Sequence, residues 1–231
     1  MMVCVIDACS YIYLNQHSFT IAGKDYTLFS LLKTLITIKQ SRTVGQEMLK
    51  HFNKVPDPEN NIELNNRNYK FKRPSLAEYD NLLFDGTIES SSKDAGEKAN
   101  LAVCIDIFNH QNNSQIVFLS DDLKALKSED KLRAIYDAFP YFSLWTSFEV
   151  ILFIYYVYNR QGFTYDKAKQ TLQDLIAFHS NIRYKGLEAQ KSRGEIDNDK
   201  FSQNVQKLKE WQQKHKLMYS ERLEIIERVN S

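Results

Sequence analysis

The hydrophobic pattern begins with a short apolar run at the amino terminus. Val3 to Ile6 are apolar without interruption and mostly β-branched, and the run stops at Asp7. Such a run is typical of a short strand that is buried on both faces of a parallel sheet. A second strand of the same kind is predicted for Gln115 to Ser120, and Asp121 and Asp122 follow it. Two such strands predict carboxylates at one edge of a parallel sheet.

Helices are predicted where apolar residues recur every three or four positions. The segments that fit this pattern before the third strand are residues 26–38, 43–52, 75–83, 97–108 and 130–138, and a short helix or turn is predicted for residues 10–14. The segment Leu35 to Ile38 is mostly β-branched and fits a second strand equally well. A polar loop is predicted around Gly23. An irregular excursion is predicted for residues 54–73, which contain Pro56 and Pro58.

The last third of the chain is predicted to be helical after a third strand at Tyr141 to Thr146. Ser147 to Tyr158 is apolar nearly all round and predicts a buried helix, and Thr164 caps a helix that ends near His179. A long charged helix is predicted from about Asp197 to Val229. Its apolar residues lie near one face: Phe201, Val205, Leu208, Trp211, Met218, Ile225 and Val229.

This alternation of strands and helices predicts an α/β fold, a three-layer α/β/α sandwich with a central parallel sheet of four or five strands. We expect one domain over residues 1–183 and a helical arm over residues 184–231. So long a helix gains most of its order from packing. The alternatives are packing on its own domain, a homodimer, or a cognate inhibitory protein with Trp211 as the anchor.

Composition narrows the classes of function. The chain has 231 residues, 43% of them hydrophobic, and a formal net charge of +1. A nucleic acid must therefore be held by a local patch or through metal ions, because there is no overall basic field. Cys4, Cys9 and Cys104 form no C-x-x-C pair, which predicts reduced thiols in a cytoplasmic protein and no structural zinc site. We expect neither a secretory signal nor a membrane span.

The candidate chemistry lies in a set of acidic residues. Each has an ordinary structural alternative, since Asp7 can cap a helix, Glu47 can be a solvated helix residue, and Asp94 and Glu97 can complement a helix dipole. Carboxylates clustered within about 4–6 Å cannot all stay ionised without a cation. Oxygen ligands select Mg²⁺ or Mn²⁺, which pair with phosphate in hydrolysis. The full set is Asp7, Glu47, Asp94, Glu97, Asp121 and Asp122.

Four motifs in this order resemble the PIN-domain nucleases of the prokaryotic type. They are V-I-D-A-C-S-Y-I, V-G-Q-E-M-L, D-A-G-E-K-A-N-L-A and V-F-L-S-D-D-L-K-A, and the resemblance extends over residues 2–180. It implies a metal-dependent nuclease of a toxin or defence type, which acts on RNA in preference to DNA. The alternative is a non-catalytic PIN-like binding or scaffold protein. On the family pattern, Asp7, Glu47, Glu97 and Asp122 are catalytic, with Ser10 and Ser120 in support. The implied metal ligands are Asp7, Asp94, Glu97, Asp121 and Asp122, with Asp121 as a second ligand or an outer contact.

A small basic and aromatic cluster follows the irregular excursion. Tyr69, Lys70, Phe71, Lys72 and Arg73 are consecutive. This mixture suits the phosphates and stacked bases of a single strand, so Lys70, Lys72 and Arg73 are candidate contacts to nucleic acid. Lysines that protect an exposed sheet edge are the alternative.

Overall fold

The computed structural model describes residues 2–16, 18–21, 23–52, 66–72, 74–84, 86, 88, 95–111, 114–121 and 142–230. The chain divides into two compact units. One comprises Met1–Phe19 with Asp25–Ser147, and the other comprises Thr20–Lys24 with Phe148–Ser231. The helix predicted at residues 130–138 lies outside the described residues.

The elements alternate between strands and helices through the first two thirds of the chain. In order they are β1 (Met2–Ile6), α1 (Ala8–Gln16), β2 (Ser18–Ile21), β3 (Lys24–Thr27), α2 (Leu28–Leu35), β4 (Thr37–Lys39), α3 (Arg42–Phe52), α4 (Leu76–Phe84), α5 (Ala95–His110), β5 (Gln115–Leu119) and β6 (Phe142–Trp145). Three long helices follow: α6 (Ser147–Tyr158), α7 (Tyr165–Ser192) and α8 (Asn198–Asn230).

The main sheet has four parallel strands in the order β4-β1-β5-β6. Strands β1 and β5 are neighbours, and their register pairs Ile6 with Leu119. The prediction that these two apolar runs lie side by side is therefore confirmed. On one face of the sheet, alternate residues such as Val5 and Phe118 join a core cluster with apolar residues of α4 and α5. The intervening residues are buried as well, so both central strands are covered on both faces.

The first unit is thus an α/β fold in which helices pack against a parallel sheet, compatible with a three-layer sandwich. The segment at Leu35 to Ile38 is divided: α2 ends at Leu35 and β4 begins at Thr37. The polar loop predicted around Gly23 is wrong, because β2 and β3 form a two-stranded sheet there. Gly23 has φ of +77°, a conformation that glycine adopts without strain.

Helices α7 and α8 pack against each other in the second unit. The predicted end of α7 near His179 is wrong, since the helix continues to Ser192 and crosses residues 183–184 unbroken. Side chains beyond His179 contact α8. The guanidinium carbon of Arg183 lies 4.3 Å from the ring centroid of Trp211, and the rings of Tyr184 and Phe201 are 6.0 Å apart. These contacts order a segment whose own sequence is polar.

The apolar face of α8 differs from its prediction near the carboxyl end. Ile225 and Val229 are 57% and 70% exposed, whereas Tyr219 and Leu223 are buried. The packed line passes through His215 and Tyr219, which lie beside Phe148 of α6. His215 and Tyr219 were left out of the predicted apolar face because both carry polar atoms, and Leu223 was left out although it is apolar.

Candidate functional site

The first feature of the site is its place in the sheet. From β1 the chain crosses to β4 on one side, and from β5 it continues to β6 on the other. The carboxyl ends of β1 and β5 therefore meet at the point where the direction of winding reverses, which is where open α/β sheets bind ligands. Asp7 directly follows β1, and Ser120 and Asp121 directly follow β5. The backbone N–H of Asp7 donates to the carbonyl of Leu119 at 2.9 Å, which joins the two strand ends.

Asp7 is a buried carboxylate, only 5% exposed. The Ser120 hydroxyl donates to its Oδ2 at 3.2 Å, and the Ala8 backbone N–H at the start of α1 also hydrogen-bonds to it. Burial raises the pKa of Asp7 to about 6 against these two hydrogen bonds, and charge repulsion from Glu47 and Asp121 adds to the rise. Asp7 thus assists the start of a helix, as one alternative had it, and also lies within electrostatic reach of two other predicted acids.

Glu47 reaches the site from α3 through a close approach to α5. A Cβ placed on Gly96 would lie 2.9 Å from Oε1 of Glu47 and 3.0 Å from Oε2, so a larger residue there would force this carboxylate to shift. Much of the Glu47 side chain is exposed. Burial of its carboxylate nevertheless raises the pKa of Glu47, while Lys50 acts in the opposite direction. Glu97 follows Gly96 in the first turn of α5.

Asp121 is held by Ser147, the residue that begins α6. The Ser147 N–H donates to Oδ1 of Asp121 at 2.9 Å, and the Ser147 hydroxyl donates to Oδ2. Both oxygens therefore already accept a hydrogen bond, an arrangement that suits an outer contact. Asp94 and Asp122, two of the predicted metal ligands, lie outside the described residues.

Ser10 lies in the first turn of α1, three residues after Asp7. It is fully buried, and its hydroxyl has no hydrogen-bond partner among the described residues. A buried hydroxyl without a partner has a free-energy cost unless a ligand or water satisfies it. Ser120, the other predicted supporting residue, binds Asp7 directly.

The side-chain donors around Asp7 determine which metal ion the site could bind. Among the residues that the structure describes, no group of three or more His, Cys, Asp or Glu side chains is arranged to hold a metal ion. The donors near Asp7 are all oxygens, and their mutual repulsion is what a cation would relieve. The donor chemistry therefore fits Mg²⁺ or Mn²⁺.

The predicted nucleic-acid segment lies beside the edge of the sheet. Asn68 forms a parallel bridge with Gln40, directly after β4. Tyr69 and Phe71 turn inward and pack against the core cluster, whereas Lys70 and Lys72 are exposed. The two rings are therefore engaged in packing, and the lysines remain as the accessible groups. Arg73 lies outside the described residues.

Tyr69 is anchored by a buried acid on α5. Its hydroxyl donates to Oδ2 of Asp106 at 2.7 Å, and the Tyr79 hydroxyl donates to Oδ1 at 3.1 Å. Burial, with the negative charge of Asp106, raises the pKa of Tyr69 well above its usual value. This network fixes the segment that carries the two lysines.

An open groove of about 510 Å³ lies elsewhere in the first unit, lined in part by Met2, Thr37 and Arg67. Met2 and Thr37 begin their strands, while Asp7 follows the end of one. The groove is therefore at the opposite end of the sheet from the acidic residues.

Two residues of the site were missed by the sequence analysis. Ser147 was assigned only to a helix start, yet it holds Asp121. Asn100 was quoted only within a motif, yet it is fully buried on α5 and bonds the backbone at two places. The available signal for Asn100 was an amide within the otherwise apolar run A-N-L-A-V.

Comparison with known proteins gives no match: no family model, curated protein or solved structure corresponds to this chain. Across the described ranges, no helix combines the length and apolar character needed to cross a bilayer.

Proposed function

We propose that this protein is a metal-dependent nuclease of the PIN-like type that hydrolyses phosphodiester bonds. The observation that supports the proposal is the environment of Asp7, which combines its position in the sheet, its burial and the nearby acidic charges. A carboxylate at the switch point of a parallel sheet has its pKa raised by burial and by the charges of Glu47 and Asp121. Such a cluster attracts a divalent cation and, through it, the phosphate of a substrate.

The residues proposed to hold Mg²⁺ or Mn²⁺ are Asp7, Glu97 and Asp122, with Glu47, Asp94 and Asp121 in support. When bound, such an ion neutralises the carboxylates and polarises a phosphoryl oxygen. The protein supplies the orientation: Ser120 fixes the Asp7 carboxylate, and Ser147 fixes that of Asp121. The Ser10 hydroxyl is fully buried and has no partner among the described residues, and its proposed role is to orient Asp7 or a water.

We propose RNA as the substrate, in the cytoplasm, with a toxin or defence role. This choice comes from the resemblance to PIN-domain nucleases and not from a single residue. Lys70 and Lys72 are exposed on a fixed segment next to the end of β4, where they can contact backbone phosphates. Arg73 is the third proposed contact.

Cleavage of a fluorescent single-stranded RNA, with Mg²⁺, with Mn²⁺ and with excess chelator, tests the proposal. Asp7→Asn keeps the size of the side chain and removes its charge, so we expect the rate to fall by orders of magnitude. Asp174→Asn is the matched control, because Asp174 is exposed on α7 in the other unit. Equal cleavage by Asp7→Asn, or full activity in chelator, contradicts the proposal.

A second candidate is a non-catalytic binding or scaffold protein of the same type. It is favoured by the hydrogen bonds that already occupy both Asp121 oxygens and by the structural role of Asp7 at the start of α1. Crystals soaked in Mn²⁺ separate the two candidates. An ion among these carboxylates supports the nuclease, and RNA binding without an ion supports the scaffold.

A further inference from the structure

A buried amide joins three of the four segments that carry the predicted acids. Asn100 of α5 is fully buried. Its Nδ2 donates to the carbonyl of Ile6 at 2.9 Å, and its Oδ1 accepts from the backbone N–H of Ser41 at 2.8 Å. Ile6 is the last residue of β1, directly before Asp7, and Ser41 directly precedes α3, which carries Glu47.

The Asn100 amide provides hydrogen-bond partners for the backbone beyond the point where β1 and β4 stop pairing. The last β1–β4 pair in register is Val5 with Lys39. The backbone of the next residue, Gln40, turns to the segment after the irregular excursion: its N–H donates to Arg67 and its carbonyl accepts from Tyr69. The peptide groups of Ile6 and Ser41 are thereby directed to Asn100. Without the side chain, each would be a buried polar group whose described partner is lost.

The same side chain is placed to set the spacing of the acids. Glu97 lies three residues before Asn100 and Gly96 lies four before it, so both are its neighbours on the surface of α5. Gly96 is the residue against which the Glu47 carboxylate packs. Ser41 in turn accepts from the N–H of Val44 through its hydroxyl, which fixes the first turn of α3.

We propose that Asn100 is a positioning residue, which holds the end of β1, the start of α3 and the first turn of α5 at the separation that the acidic site requires. This inference rests on the proposed function for its purpose, and on the two hydrogen bonds for its geometry. Only an amide of this length supplies both bonds, because an ionised Asp lacks the donor and a Leu of similar size lacks both groups.

The test compares Asn100→Ala with Asp80→Ala. Asp80 is about equally buried in the same unit, and its carboxylate accepts from the backbone N–H of Ile88. Both variants lose buried hydrogen bonds, so both are expected to melt at lower temperature. We expect the Mn²⁺ dissociation constant to rise by about 10–100-fold in Asn100→Ala, as for other residues that orient metal ligands. We expect it to stay within about twofold in Asp80→Ala.

Hydrogen exchange of the Ser41 amide is the second measurement, and it needs no metal. It should accelerate in Asn100→Ala and not in Asp80→Ala. Equal Mn²⁺ affinity in the two variants, or an unchanged Ser41 exchange rate, overturns the inference and leaves Asn100 as a packing residue. If the unmodified protein binds no Mn²⁺, the proposed function is wrong, and the Ser41 exchange alone decides the role of Asn100. Asn100→Ser, whose hydroxyl can still make one bond, serves if Asn100→Ala does not fold.

Discussion

Replacing Asp7 with Asn should stabilise the protein, and the gain should grow with pH. The carboxylate is 5% exposed, and its pKa is raised from 3.8 to about 6 because burial and two neighbouring acids disfavour its ionised form. Asn has nearly the same shape, and its amide oxygen can take the place of Oδ2 as the acceptor for the Ser120 hydroxyl. The substitution therefore removes the charge and keeps this hydrogen bond.

The sign of the change in stability with pH follows from the number of protons bound to Asp7 in the folded and unfolded states. Between pH 3.8 and about 6, the folded state keeps a proton on Asp7 that the unfolded state has lost. The free energy of unfolding therefore falls as pH rises through this window, and the full penalty is present above it. A pKa difference of this size corresponds to a penalty of about 3 kcal/mol at pH 8 and about half of that at pH 5. The stability advantage of Asp7→Asn should thus widen by about 1 kcal/mol between these two pH values.

Urea unfolding followed by tryptophan fluorescence measures this difference. The chain has two tryptophans, and Trp145 of β6 lies in the same unit as Asp7, whereas Trp211 lies in the other. A Trp211→Phe background therefore reports on the unit of interest. The measurements are made in chelator to remove divalent ions. An ion bound at the site would stabilise ionised Asp7 and so reduce the stability difference between Asp7→Asn and the parent protein.

Asp174→Asn is the control, since this exposed side chain should show little change in stability at either pH. The reasoning is refuted if Asp7→Asn is less stable than the parent at pH 8. It is also refuted if the difference between the two proteins is the same at pH 5 and pH 8. Either result would mean that Asp7 is better solvated, or better paired, than its buried position indicates.

Two further changes test the site and the helical arm. Gly96→Ala places a methyl group about 3 Å from the Glu47 carboxylate, so we expect Glu47 to be displaced. A calorimetric titration should show weaker Mn²⁺ binding with little change in melting temperature, and unchanged binding counts against a role for Glu47. Deleting residues 197–231 removes α8 and uncovers the face of α7 that packs on it. We expect the first unit to stay folded while the oligomeric state or partner binding changes. Light scattering measures this, and an unchanged mass with no partner lost assigns α8 to intramolecular packing.

The parts of the fold that could be predicted are those with strong local patterns. β1 and β5 were found because uninterrupted β-branched and apolar runs are buried on both faces. β2 and β3 were missed because each has only four residues, too short a window for alternation to stand out. The far end of α7 was missed because its helical order comes from contacts of Arg183, Tyr184 and Lys191 with α8. Such contacts follow from tertiary packing and leave no periodic signal.

The residues of the candidate site divide in the same way, into those with a local sequence signal and those that depend on tertiary contacts. The places of Asp7 and Asp121 followed from the rule that parallel strands end at a common edge, and the structure brings their charges within reach of each other. Asn100 and Ser147 were not singled out because their value lies entirely in partners distant in sequence. The Ser41 N–H is 59 residues from Asn100, and Asp121 is 26 residues from Ser147. A polar residue in an apolar helix signals that a partner exists and does not identify it.

The raised pKa of Asp7 also bears on the choice between helix capping and chemistry. Asn and Asp are about equally good at the start of a helix, and Asn carries no charge. If assisting α1 were the only role of this position, an ionisable group buried near Glu47 and Asp121 would add a free-energy cost at neutral pH and no benefit. The fully buried Ser10 hydroxyl, without a partner in the described part of the chain, adds a second cost one turn away. A cation at the end of the sheet would remove the first cost, and a water held beside Ser10 would remove the second. The proposed nuclease activity requires that cation.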